Sequence, residues 1–90
     1  MISSAQMRAG RALLGIDQRQ LAALSGVSLP TIQRMESSEG TVRGVVDTLE
    51  KVVAAFEAAG VELLSEHVPS RGSGRGVRLK QAANPEAGLT

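Results

Sequence analysis

Ninety residues with a formal net charge of +1, no cysteine and Phe56 as the only aromatic side chain bound what the chain can be. It is one domain at most, with a small aliphatic core, so self-association is an expected source of further stability. Disulfides and thiolate metal sites are excluded, and so is a highly charged nucleic-acid condenser.

The near-neutral total hides segregation. Residues 1–36 carry Arg8, Arg11, Arg19 and Arg34 against Asp17 and Glu36, a net +2. Residues 37–66 carry a net −4, and residues 67–90 a net +3. Phosphate contact needs only a locally basic face, so nucleic-acid binding stays open. No stretch has the ~18 apolar residues of a membrane span. The first residues lack the charged-then-apolar layout of a signal peptide. A cytoplasmic protein with no membrane contact is expected.

Residues 4–14 predict a first helix, capped by Ser3 or Ser4 through a side-chain oxygen that accepts a free backbone N–H. Met7, Gly10 and Leu14 recur at helical spacing and face inward. Gly10 costs roughly 1 kcal/mol against Ala in a helix. It is best tolerated where another helix crosses closely. Gly15 ends the helix, since glycine takes the left-handed conformation readily.

Residues 18–36, QRQLAALSGVSLPTIQRME, read as a helix, a tight turn at Gly26 and a second helix. Asp17 caps the first of these, and Gln20 three residues on completes a capping-box pattern. Leu21, Ala22 and Ser25 share one face, and the small side chains allow a close neighbour. Val27 plugs the turn. Ser28 caps the next helix, with Pro30 in the first turn, where its missing N–H costs little. Ile32 and Met35 point to the core, which leaves Leu29, Pro30, Gln33 and Arg34 outward. This is the layout of a helix-turn-helix, which places its second helix in a DNA major groove.

Residues 37–42 are loop by composition. A fourth helix is predicted from about residue 45 to residue 59, with Leu49, Val52, Val53 and Phe56 as its apolar stripe and Gly60 as its stop. The period then changes. Residues 61–64 and 77–79 are short and strand-like, and the Pro- and Gly-rich stretch between them reads as a connection. Together they predict a β-hairpin. A lone hairpin is barely stable in water, so this one has to pack on the helices or pair with a second subunit. Residues 81–90 have no periodicity and are expected to be disordered. The expected organisation is a helical DNA-binding domain over residues 1–60, a hairpin that serves dimerisation over 61–80, and a tail over 81–90.

The run from Met7 to Arg11, then Gly15-Ile16-Asp17-Gln18, Leu21-Ala22, Gly26-Val27-Ser28, Thr31-Ile32, Arg34-Met35-Glu36 and VDTLEKVVAAF, resembles the Cro/cI-type (XRE) helix-turn-helix family of phage repressors and bacterial regulators. The trailing AAGVELL and GVRL resemble a C-terminal extension of some small bacterial members. The resemblance implies a mainly α, four-helix, lambda-repressor-like domain with a C-terminal β-hairpin or short strands. It also implies a non-enzymatic regulator, a repressor, bound as a homodimer to a pseudo-palindromic site on double-stranded DNA.

Within that family pattern the base-reading positions fall on Ser28, Leu29, Pro30, Gln33 and Arg34. Arg34 can present two donors to guanine and Gln33 can pair with adenine, whereas Leu29 and Pro30 offer only apolar contact, such as with a thymine methyl. Many relatives are polar at those two positions, so a share of shape readout is expected here. Gln18 matches a position that bonds a phosphate, and Arg19, Thr31 and Arg43 are further phosphate candidates. The resemblance implies an ion pair between Arg11 and Glu36 that joins the first and third helices. Phe56, Val61, Leu63, Val77 and Leu79 are expected to form the dimer contact.

Plainer roles compete. Gln18 can serve its own helix end, and Arg43 can pair with Glu39. Leu29 and Pro30 suit a protein groove as well as a thymine methyl, so the alternative is a protein-interaction module, an anti-activator or an antitoxin that binds a toxin. His67 beside Glu62 and Glu66 is a poor metal site and has no nucleophile nearby. The glycines of residues 69–76 do not precede a helix, so they are not a phosphate-binding loop. No cofactor, metal or enzymatic activity is expected.

Overall fold

A computed structural model describes residues 2–39, 44–64, 68–74 and 76–77. Among them four helices follow in order: α1 is Ser4–Leu14, α2 is Gln18–Ser25, α3 is Leu29–Glu36 and α4 is Val46–Ala58.

The first three helices begin in the same way. Ser3, Asp17 and Ser28 sit in extended backbone, and each side chain accepts the N–H three residues on. At Ser3 and Asp17 the bond is reciprocated by Gln6 and Gln20, which completes a capping box. Gly15 and Gly26 close α1 and α2 at φ +67° and +72°, a conformation that a side chain would strain. α4 has no side-chain cap; Asp47 in its first turn meets the positive end of the helix dipole instead.

Phe56, Met7, Leu21, Ile32 and Val52 are fully buried, and Ile2, Val27, Met35, Leu49 and Val61 complete the core. α2 packs on both α3 and α4, and α1 packs on α3. The apolar stripes agree with the helical spacing, with Leu14, Ala22 and Val53 half-buried at the margin. Gly10 makes room for the Phe56 ring: a Cβ there would stand 2.7 Å from its Cε1.

Two expectations need correction beyond α4. Residues 63 and 77 meet in a single bridge, but it is parallel, and no strand occurs among the described residues. A hairpin requires antiparallel rungs. The intervening residues 64–76 are long enough for the crossover of roughly a dozen residues that parallel pairing needs. Residues 70–72 are held on Glu62, whose carboxylate accepts the Ser70 hydroxyl at 2.9 Å and the N–H groups of Arg71 and Gly72 at 2.6 and 3.0 Å. The Arg71 N–H, then the Ser70 hydroxyl, hold that carboxyl below its ordinary pKa. The Gln6 side chain donates to the Leu64 carbonyl at 2.9 Å and fastens the same segment to the first turn of α1. The rest of the expected hairpin, and the tail at 81–90, lie outside the described residues.

The second correction concerns the expected dimer contact. Phe56 is wholly buried and Val61 is 7% exposed within a single chain, so both are consumed by its own core. Leu63 and Val77 are half-buried, and Leu79 lies outside the described residues.

Gly10→Ala tests the packing. Alanine gains helix propensity, about 1 kcal/mol, but overpacking against Phe56 costs about 1–3 kcal/mol. Urea unfolding is expected to show net destabilisation, and a smaller effect of the same change in a Phe56→Leu background. A stabilised Gly10→Ala protein would contradict the close approach of the Phe56 ring.

Candidate nucleic-acid interface

The turn between α2 and α3 is fixed by small side chains. Ser25 Oγ donates to the Leu21 carbonyl at 2.8 Å and accepts the Val27 N–H at 3.3 Å. Gly26 then reverses the chain, and Val27 drops into the core at 8% exposure. α3 therefore leaves the turn with Ile32 and Met35 committed inward. Pro30, Gln33 and Arg34 are exposed, whereas Leu29 is half-buried, so the apolar part of the outward face is smaller than the spacing suggested. Ser28 is exposed and Thr31 half-buried.

The other end of α3 is held by charge. The Glu36 side chain is 3% exposed. Arg11 Nε and Nη2 donate to its two oxygens, each at 2.7 Å, in a bidentate fork. Gln18 Nε2 donates to Glu36 Oε1 at 3.3 Å. Arg8 Nη1 donates to the Glu36 backbone carbonyl at 2.6 Å and satisfies an acceptor that the helix end leaves open. The hydrogen bond to Glu36 raises the Arg11 pKa further, so the guanidinium stays charged at any physiological pH. α1, the first residue of α2 and the last residue of α3 thus meet at one carboxylate.

Leu29, Pro30, Gln33 and Arg34, expected to read bases, lie on α3 with Ser28 as its cap, and Gln18 is the first residue of α2. Arg19 is exposed on the first turn of α2, and Arg43 lies outside the described residues. Gln18 turns one amide N–H inward to Glu36, which leaves the other for an outside acceptor. The Arg8 contact was missed in the sequence; its one signal is the position three residues before Arg11, on the same face of α1. Leu24, 57% exposed, and Val45 and Val46, 71% and 66% exposed, were missed as surface residues. Leu24 and Val46 stand three residues from Leu21 and Leu49, so periodicity alone places them inside.

No group of His, Cys, Asp or Glu fit to hold a metal ion occurs among the described residues. No helix there is long and apolar enough to cross a membrane. A family model described as helix-turn-helix matches residues 7–57, from within α1 to the last turn of α4. Comparison with curated proteins and with solved structures gives no significant match.

Glu36→Gln leaves the Arg11 guanidinium without its charge partner. Breaking one side of a buried pair costs about 3–5 kcal/mol, whereas replacing both sides with apolar groups is often neutral. Urea unfolding should therefore show a large loss for Glu36→Gln and a much smaller one for Arg11→Met combined with Glu36→Leu. Equal losses in the two proteins would contradict a burial-dominated pair.

Proposed function

The chain belongs to the Cro/cI-type (XRE) helix-turn-helix family, and from that premise we propose that it is a sequence-specific transcriptional regulator that represses by occupying DNA. The observation that carries this reading is the outward face of α3. Pro30, Gln33 and Arg34 are exposed on a helix whose far end is locked through Glu36 to α1 and α2. A rigid helix with an exposed polar face is what major-groove reading requires, because base edges are recognised by side chains held in register with the duplex.

Arg34 presents a donor fork suited to guanine, Gln33 a donor and an acceptor suited to adenine, and Leu29 and Pro30 an apolar patch suited to a thymine methyl. Ser28 lies at the same end and adds a hydroxyl. Gln18, through its outward N–H, and Arg19 are the phosphate contacts, and Arg43 is a third. The chain acts as a homodimer on two half-sites about one helical turn, ~34 Å, apart. Leu63 and Val77, with Leu79, remain the dimer candidates of the C-terminal segment after Phe56 and Val61 are assigned to the core.

Exposed Leu24, Val45 and Val46 support a second role for the same domain, as a module that binds a protein such as a toxin or an activator. Apolar side chains of this size at high exposure suit a partner surface.

Selection of duplexes from a random library tests the first reading, followed by gel shifts with Arg34→Ala. The wild type is expected to enrich a pseudo-palindrome, and Arg34→Ala to bind it about tenfold or more weakly, the worth of one bidentate base contact. A folded protein that enriches no sequence would contradict the proposal.

A further inference from the structure

The outward side of α3 carries three polar side chains in a row, one turn apart: Ser28, Thr31 and Arg34. Ser28 Oγ donates to Thr31 Oγ1 at 2.8 Å, and Arg34 Nη2 donates to the same oxygen at 3.4 Å. The Thr31 oxygen accepts twice, which fills the lone pairs of a hydroxyl. Ser28 Oγ in turn accepts the Thr31 N–H at 3.4 Å, so the row is anchored to the helix cap.

We propose that Thr31 is a positioning residue for Arg34. Arg34 lies in the last turn of α3, while the base edges are met by the N-terminal part of such a helix. The bond to Thr31 folds the guanidinium back along the helix toward that end. It engages one N–H and leaves the rest of the fork to face outward. With its oxygen filled, Thr31 has only its own proton to offer, so beside Arg34 it presents donors and no acceptor; the one lone pair left in the row is on Ser28 Oγ, at the cap. The matching ligand in the major groove is the acceptor pair O6 and N7 of guanine. Thr31 therefore acts on the base through Arg34 and is not a phosphate contact.

The proposal rests on the DNA-binding reading above, and the test separates the two. The probes are the duplex selected by the wild-type protein and a copy with 7-deazaguanine at the half-site guanines, which removes N7. The wild type is expected to bind the copy about tenfold more weakly. Thr31→Val keeps the branched shape and removes the oxygen; it should lose most of that difference at an unchanged salt slope, and Thr31→Ser should restore it. If Thr31→Val instead lowers the slope of log affinity against log salt by about 0.9 and keeps the guanine preference, Thr31 is a phosphate contact and the proposal fails. It also fails if affinity for both duplexes drops equally with a lowered unfolding midpoint. A wild type that selects no duplex overturns the underlying reading as well.

Discussion

Glu36 holds its carboxylate on the last turn of α3, buried, at the helix end where the backbone dipole opposes negative charge. A group in that position must be matched or it unfolds its surroundings. Arg11 matches it with a two-bond fork, Gln18 adds a third bond, and Arg8 takes the carbonyl of the same residue. The apolar core beneath is non-directional and sets only how much surface is removed from water. The charged fork is directional, and it fixes how α3 is turned relative to α1 and α2. Ile32 and Met35 set which side of α3 is buried, and that junction holds the helix in place at its far end.

The molecule has two ends along α1. Beyond its C-terminus lie Gly15, Asp17 and Gln18, which lead into the helix-turn-helix. At its N-terminus Gln6 holds Leu64, and with it the segment in which Glu62 gathers Ser70, Arg71 and Gly72. An eleven-residue helix separates these ends by roughly 16 Å. The exposed Arg71 therefore belongs with the clasp at one end, and Gln18 with α3 at the other. Basic residues that look alike in a charge count are placed on different sides of the fold by the helix between them.

The helices were legible because their signals are local. Ser3, Asp17 and Ser28 cap where a free N–H must be satisfied, and Gly15 and Gly26 end helices where φ must be positive. Gly10 could be read as a place of close packing, although not that the Phe56 ring fills it. The segment after α4 was read less well. Its alternating apolar residues suit a strand, but pairing direction depends on where the connection goes, and that is decided by Glu62 reaching eight to ten residues forward. Phe56 lies in the chain's own core, which a stripe at helical spacing does not tell from a partner's, and Val61, from the strand-like run after α4, is buried there too. Of the candidate interface, the outward positions of α3 followed from its inward ones. The Ser28–Thr31–Arg34 row did not, since it depends on rotamers that spacing leaves open.

On the proposed function, α3, held through Glu36, presents its outer face to DNA. The most direct measurement is an amide chemical-shift map of the ¹⁵N-labelled protein titrated with its selected duplex. The largest changes should fall on residues 17–19 and 28–34, with little change at residues 61–64 and 68–74. Changes concentrated at residues 61–64 and 68–74, with residues 28–34 silent, would contradict it.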